Sequence, residues 1–185
     1  MKNLRTVVIA MLLSACAVSA SAQSKKEVAN AKKQLQEILK SQAETQAHLV
    51  KFDTLDFVVY STQNWKRLHE SHAKNIKVTY PDGSVTVGLD EHIKQLSPMF
   101  TFAPDTKITE HPIRFGAGTY TAVTGYIEGT FSKPMMLPNG GSIPATGKKF
   151  KLPMCTIGLW KDGVMYEEQL FWDNQAFMKQ IGLGN

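Results

Sequence analysis

The segment from Tyr166 to Asn174 carries the side chains best suited to proton-transfer chemistry. Asp173 stands where an apolar strand pattern ends and a short helix begins, directly after Trp172. A carboxylate buried against an indole loses hydration, so its pKa rises and it becomes a useful acid or base near neutral pH. An aspartate at this position is also suited to cap the following helix, because its side chain accepts hydrogen bonds from free backbone amides. Both interpretations of Asp173 stay open.

Glu167 and Glu168 are neighbouring acids in the same strand pattern. Strict alternation places their side chains on opposite faces of a strand. Glu168 shares a face with Leu170 and Trp172, so it is the better candidate for an acid that faces inward. A catalytic role for Glu168 competes with a salt bridge or a contact between subunits.

Three histidines add further titratable candidates. His111 lies in a predicted strand, and its ordinary pKa near neutral pH suits the second member of an acid/base site; hydrogen bonding on a sheet is the alternative. His69 and His72 are three apart on a predicted helix and could bind zinc with a third ligand. No Cys pair or second ligand cluster lies nearby in the sequence, so we predict no metal and no cofactor, with these two histidines at a pocket mouth or on the surface.

Glu128 interrupts a strand pattern rich in Thr, Tyr and Gly. It is either a polar group that faces inward or an edge charge that discourages aggregation. The complete set of predicted site residues is Asp173, His111 and Glu168 for catalysis, and Trp65, His69, His72, Glu128 and Trp172 for substrate binding.

The first 22 residues have the features of a secretory signal peptide. Lys2 and Arg5 precede an apolar stretch, residues 6–15, that is too short to span a bilayer. Ala20-Ser21-Ala22 is a small-residue cleavage site, which predicts an exported protein, periplasmic or secreted. Alternatively, Leu13-Ser14-Ala15-Cys16 resembles the box before a lipid-modified cysteine and predicts an outer-membrane lipoprotein anchored through Cys16.

The composition excludes several classes of protein. The 185-residue chain has a formal charge of +5, but beyond His48 its acids and bases nearly balance and form no stripe, which argues against nucleic acid as a partner. Cys16 and Cys155 are the two cysteines, and cleavage or lipidation leaves a single thiol. A disulfide framework is therefore excluded, and stability must come from a packed core.

One domain follows a charged amino-terminal region. Residues 23–46 predict a charged helix or a partly ordered tether, and residues 47–185 predict an α+β domain. Its patterns predict helices within 49–59, 65–72 and 89–99, strands at 75–80, 107–115, 119–131, 149–160 and 164–172, and a tight hairpin at Asp162-Gly163. Helices that precede a run of long strands favour a strongly bent antiparallel sheet capped by these helices and a short C-terminal helix, with ligand space between them.

Several turns and an end motif recur in a known family. They are Tyr80-Pro81-Asp82-Gly83 with Gly88, Met99-Phe100 with Pro104-Asp105, residues 121–125 and 129–131, Lys161-Asp162-Gly163, Glu167-Glu168, Trp172-Asp173-Asn174 and residues 180–183. In these features, residues 55–183 resemble the SnoaL-like polyketide or ester cyclases of the nuclear transport factor two-like superfamily.

The resemblance implies a cone-shaped α+β barrel, commonly a homodimer, with an apolar pocket between sheet and helices. Members with known chemistry close a ring on a polyketide ester by an aldol step without a cofactor, using an aspartate that Asp173 matches best here. The predicted function is therefore that of an exported protein that binds a small apolar ester or carbonyl compound, with cyclisation, isomerisation or hydrolysis as candidate reactions. The alternatives are a binding protein without turnover and a dimeric interaction module.

Overall fold

The computed structural model describes residues 2–184, with side chains from residue 24 onward. The chain divides into two compact units, Met1–Gln42 and Ala43–Asn185. Helix α1 spans Lys2–Thr54, and its side chains from residue 24 to residue 40 are exposed. The predicted signal peptide, residues 1–22 with Cys16, lies outside the residues whose side chains are described, and the predicted domain boundaries stay predictions. No helix among the described residues has an apolar stretch long enough to cross a membrane.

The second unit starts within the C-terminal turns of α1 and contains all the strands. A π-helical turn, Leu55–Tyr60, and a 3-10 helix, Trp65–Glu70, follow α1. The remaining elements are β1 (His72–Thr79), β2 (Val85–Val87), α2 (Leu89–Phe102), β3 (Arg114–Ala117), β4 (Tyr120–Thr130), β5 (Met135–Met136), β6 (Ser142–Ile143), β7 (Lys149–Lys161), β8 (Val164–Trp172) and α3 (Asn174–Gln180).

Six of the strands form a large curved sheet in the order β2-β1-β8-β7-β4-β3. All neighbours are antiparallel except β1 and β8, which run parallel. Strands β5 and β6 form a separate two-stranded sheet. The predicted α+β class, with helices before the sheet and a short helix at the end, is confirmed. The parallel pair joins the first long strand of the unit to the last one, so it brings residues of β1 beside residues of β8.

The predicted hairpin between β7 and β8 is present. Asp162 and Gly163 both have positive φ, 52° and 79°, as a tight two-residue turn requires. The pairing then slips from Leu159↔Glu167 to Trp160↔Met165, which leaves one extra residue in β8. This bulge turns the strand, so that Met165 and Glu168 are both buried although strict alternation would separate them.

Two predicted elements differ from the structure. The helix predicted at 65–72 is a 3-10 helix that ends at Glu70, and His72 is the first residue of β1, so His69 and His72 do not share a helix face. The strand predicted at 107–115 reduces to Arg114–Ala117 and an isolated bridge between Lys107 and Glu128. Pro112 explains the second difference, because it has no N–H for the strand ladder.

Two buried apolar clusters form the core of the second unit. One contains Phe102, Phe131, Phe150 and Leu152 and packs against α3. The other includes Leu49, Phe52, Leu68, Ile76, Val78, Trp160 and Met165. Within the second cluster, Trp160 is 1% exposed, stacks on His48 at 4.5 Å and donates a hydrogen bond from Nε1 to Thr121 Oγ1 at 2.7 Å. This tryptophan joins the end of α1 to the sheet.

Candidate functional site

A cavity of about 250 Å³ lies in the second unit and has lining residues from both core clusters. Its volume is near the lower end of ligand pockets, so it suits a small molecule. The apolar part of the lining includes Leu55, Leu68, Leu96, Met99, Ile108, Ile127, Met154 and Leu170. Its titratable and hydroxyl side chains include Asp56, Tyr60, His72, Tyr80, His92, Thr156 and Glu168. The cavity is therefore largely apolar, with two groups of polar side chains.

The first polar group is the cluster of His72, His92 and Glu168, which come from β1, α2 and β8. Their exposed fractions are 1%, 2% and 4%. His72 Nε2 lies 3.5 Å from Glu168 Oε2, and His92 Nε2 lies 3.4 Å from the same oxygen. The parallel pairing of β1 with β8 and the packing of α2 on β1 bring the three together.

Hydroxyl groups hold the other nitrogen of each imidazole ring. Ser71 Oγ lies 2.9 Å from His72 Nδ1, and Tyr80 Oη lies 2.8 Å from His92 Nδ1. The Nε2 atom of each ring is consequently directed at Glu168. His72 Nε2 and Glu168 Oε2 are nevertheless buried without a hydrogen-bond partner. Buried polar atoms of native proteins usually have partners, so these two atoms require an explanation.

Burial and charge set opposite pKa shifts in this cluster. Burial lowers the pKa of His92 to about 4, with Glu168 acting in the opposite direction. Burial alone would raise the pKa of Glu168, but its electrostatic interactions with His72 and His92 outweigh burial, so the pKa of Glu168 is lowered. At neutral pH, His92 is therefore neutral and Glu168 ionised.

The second polar group joins Asp56 to His111 and Asp53. Asp56 belongs to the π-helical turn, a structure that occurs often at functional sites. Its Oδ2 lies 2.8 Å from His111 Nε2, and His111 Nδ1 lies 2.8 Å from Asp53 Oδ1. Arg114 in turn donates to Asp53 Oδ2. The imidazole of His111 is thus held at both nitrogens by carboxylates, and one of these, Asp56, lines the cavity.

The pKa shifts in this group favour the protonated forms of Asp56 and His111. Burial raises the pKa of Asp56, although the hydrogen bond and charge of His111 oppose the shift. Burial acts to lower the pKa of His111, but the hydrogen bonds and charges of Asp56 and Asp53 outweigh it and raise that pKa. The carboxylate of Asp56 is therefore a stronger base than that of an exposed aspartate, and the imidazole beside it takes up a proton more readily than a free one.

We expect His111 to titrate above 6.5, its ordinary value, and Asp53→Asn to lower its pKa. The substitution removes one of the two carboxylates that favour the imidazolium form. The pKa of His111 is higher in the folded state than its ordinary value, so the pairing of its imidazolium with Asp53 and Asp56 adds to the free energy of unfolding. This contribution is complete below pH 6.5 and is lost as the pH rises through the pKa of His111 in the folded state. Histidine titration followed by NMR checks the shift; an unchanged pKa in Asp53→Asn would contradict this account.

Some predicted site residues belong to the cavity. Glu168 and His72 line it and are buried, and Trp172 lines it with its Nε1 donating to Asn174 Oδ1 at 2.8 Å. His111 lies in a loop rather than in a strand, and it meets the cavity through its contact with Asp56.

Other predicted site residues lie away from the lining. Trp65 packs against Tyr60 and Phe100 in the core. His69 is exposed, with its Nδ1 2.8 Å from the carbonyl oxygen of Lys66. Glu128 is half-buried and forms an ion pair with Lys151 at 2.8 Å. The structure therefore brings none of these three side chains to the cavity.

Asp173 is exposed and occupies the N-cap of α3. Its Oδ1 accepts hydrogen bonds from the backbone N–H groups of Gln175 and Ala176 at 2.8 and 3.0 Å. It does not line the cavity. Of the two interpretations of this aspartate, the structure shows the contacts of the helix cap.

We expect Asp173→Ala to lower the free energy of unfolding by about 1 kcal/mol, because two amides of α3 lose their acceptor. Asp173→Asn should be nearly neutral, since asparagine caps a helix as well as aspartate does. Urea unfolding of the two variants measures the difference. Equal losses for both would show that charge, rather than capping, accounts for the role of this residue.

Six residues of the two polar groups were not predicted from the sequence: Asp53, Asp56, Ser71, Tyr80, His92 and Arg114. A signal was present for His92, which lies on the apolar side of α2 between Leu89 and Leu96. The spacing of Asp53 and Asp56 also places both on one side of a helix. Neither signal identified a partner, because the partners are distant in sequence.

The chain belongs to the SnoaL-like polyketide cyclase family, whose model matches residues 53–181. That range contains both polar groups and the cavity. No similar protein was found among curated sequences.

Solved structures show the same fold at low sequence identity. The proposed SnoaL-like polyketide cyclase from Jannaschia sp. CCS1 is 17% identical, with a TM-score of 0.65, over 76% of this chain and 95% of that one. IdmH, a proposed polyketide cyclase from Streptomyces antibioticus, is 17% identical with a TM-score of 0.62, over 73% and 98%. A Catenulispora acidiphila protein with a ketosteroid isomerase-like fold, in complex with trimethylamine, is 12% identical with a TM-score of 0.58, over 74% and 92%.

Proposed function

We propose that the cavity binds a small, largely apolar carbonyl or ester compound and that Asp56 transfers a proton to or from it. One observation carries the proposal: Asp56 lines a largely apolar cavity, and its carboxylate contacts His111, whose other ring nitrogen contacts Asp53. Membership of the family supports a small-molecule or cyclase role of this kind.

In the proposed proton transfer, Asp56 is the base, and His111 and Asp53 position it. Asp56 in its ionised form takes a proton from a carbon next to the carbonyl group, and the electron pair moves to the carbonyl oxygen as an enolate forms. His111 stabilises the ionised carboxylate from Nε2, and Asp53 orients the imidazole from Nδ1. Returning the proton from Asp56 to another atom of the enolate gives isomerisation. For ring closure, the enolate carbon attacks a second carbonyl carbon, the electron pair of that C=O bond moves to its oxygen, and Asp56 returns the proton to the resulting alkoxide.

Binding without turnover is a second candidate. The observation that favours it is the position of Asp173, the best match to the family's catalytic aspartate, as an exposed helix cap outside the cavity. In that case the apolar lining would hold a ligand, and Asp56 would contribute only a polar contact.

We further propose that the protein is exported, after cleavage behind Ala22 or with a lipid at Cys16, on the basis of the amino-terminal sequence. Intact mass of the mature protein separates the two: cleavage before Gln23 and a lipid on Cys16 differ in both length and added mass. We also propose a homodimer, as the family resemblance implies. Analytical ultracentrifugation measures the oligomeric state of the purified protein directly.

The test of the catalytic proposal starts from the ligand. Purified protein is incubated with metabolite extract, and the captured compounds are identified by mass spectrometry. Each captured carbonyl compound is then incubated with the protein in D₂O. Catalysed uptake of deuterium at a carbon next to the carbonyl group supports proton transfer. Capture without catalysed exchange or product formation would instead support the binding protein.

A further inference from the structure

We propose that His72, His92 and Glu168 form a binding site for a divalent transition-metal ion of the zinc class. The proposal concerns a different part of the cavity from Asp56 and does not depend on proton transfer by that residue. It rests on three observations: the donor set with its distances, the contacts behind each imidazole ring, and two buried atoms without partners.

The donor set and two of its three separations fit a tetrahedral ion. One ligating atom from each of the three residues lies within 4.8 Å of the others. Two of the separations, from Glu168 Oε2 to His72 Nε2 and to His92 Nε2, are 3.5 and 3.4 Å. Ligands about 2.0–2.2 Å from a tetrahedral Zn²⁺ are separated by about 3.4 Å. Two imidazoles and one carboxylate also form a ligand set of catalytic zinc sites, in which the fourth position stays open.

The contacts behind the imidazole rings match those of histidines that bind metals. Ser71 Oγ and Tyr80 Oη occupy the Nδ1 atoms of His72 and His92, so Nε2 is the nitrogen left for an ion in each ring. Such outer contacts fix the orientation and the tautomer of a ligating histidine. Ser71 directly precedes β1 and Tyr80 directly follows it, so the two hydroxyl groups flank the strand that begins with His72.

The unpartnered atoms are the independent sign of a ligand. His72 Nε2 and Glu168 Oε2 are buried and have no hydrogen-bond partner, although both side chains are more than nine-tenths buried. An ion placed between them would satisfy both atoms at once and would neutralise the carboxylate charge. The same ion would touch His92 Nε2, the third atom directed at this point. Because His72, His92 and Glu168 line the cavity, the fourth coordination position of the ion would be open to a water molecule or a ligand oxygen in the cavity.

The test measures binding of Zn²⁺ alone to the purified full-length chain, freed of metal with chelator and carrying no histidine tag. Calorimetry and elemental analysis should give one Zn²⁺ per chain. Glu168→Gln and His92→Ala should each weaken binding by about a hundredfold or more, because the first replaces a charged carboxylate oxygen by a neutral amide oxygen and the second removes an imidazole ligand, and outer contacts alone are worth about 10- to 100-fold. Glu167→Gln is the matched control, since it makes the same chemical change at the neighbouring residue outside the cavity lining. It should bind like the unaltered chain.

Two further measurements test the site without removing a ligand residue. Tyr80→Phe removes only the hydroxyl behind His92 and should weaken Zn²⁺ binding about tenfold with the fold intact by circular dichroism. Co²⁺ in place of Zn²⁺ should show the visible bands of a tetrahedral site without thiolate charge transfer. Absence of stoichiometric Zn²⁺ binding by the folded chain, or equal binding by folded Glu168→Gln and Glu167→Gln, would overturn the proposal. These results leave the role of Asp56 untouched, because no turnover is measured.

Discussion

Asp56→Asn should slow catalysed proton exchange on a captured carbonyl compound by about 10²- to 10⁴-fold, the range over which a positioned acid/base group acts. Asparagine has nearly the same size as aspartate, but its amide group cannot accept a proton near neutral pH. The contact with His111 Nε2 can persist, so the expected loss lies in turnover rather than in ligand capture. Deuterium uptake followed by NMR, beside ligand capture by the same preparation, separates the two effects.

Asp162→Asn is the matched control for this experiment. It makes the same chemical change at the hairpin corner, where asparagine tolerates the positive φ of 52° and Asn-Gly forms the same type of turn. Its exchange rate should equal that of the unaltered chain. If Asp56→Asn exchanges as fast as Asp162→Asn, then Asp56 is not the acid/base group, and binding without turnover becomes the better account of the cavity.

Trp160→Ala should lower the free energy of unfolding by about 3–5 kcal/mol. The indole is 1% exposed, packs in the cluster that contains Phe52 and Met165, and donates its N–H to Thr121. Alanine would leave a cavity between the end of α1 and the sheet, and it would remove the donor from a buried hydroxyl group. Urea denaturation at fixed pH measures the loss.

Phe171→Ala is the control for Trp160→Ala, because Phe171 is an aromatic residue of the neighbouring strand that is 46% exposed. We expect its effect to stay within about 0.5 kcal/mol, as for most surface substitutions. Since the end of α1 carries Asp53, partial loosening by Trp160→Ala should also shift the NMR signals of His111. A loss below about 1 kcal/mol would mean that Trp160 does not join α1 to the sheet.

Local sequence patterns determined much of the architecture. Alternating apolar residues predict β4, β7 and β8 nearly to their ends, and Asp162-Gly163 predicts the hairpin, because turn chemistry and strand periodicity depend on neighbouring residues alone. The family resemblance also predicts the α+β fold from local features, because its turns and end motif are short segments of neighbouring residues. The inward position of Glu168 was also predicted, although the bulge in β8, rather than strict alternation, gives it that position together with Met165.

The site itself depends on contacts between distant residues. His72, His92 and Glu168 meet because β1 pairs in parallel with β8 and α2 packs on β1, and no local pattern specifies either arrangement. Asp56 meets His111 across 55 residues of chain, and the π-helical turn that carries it continues a helical pattern without a marker in the sequence. For Asp173, the sequence predicted the position before α3, but it did not predict that the side chain is exposed. The sequence by itself thus determined the elements and their turns, whereas only the tertiary structure selected which acids and histidines share a cavity, since burial and proximity arise from packing between segments far apart in the chain.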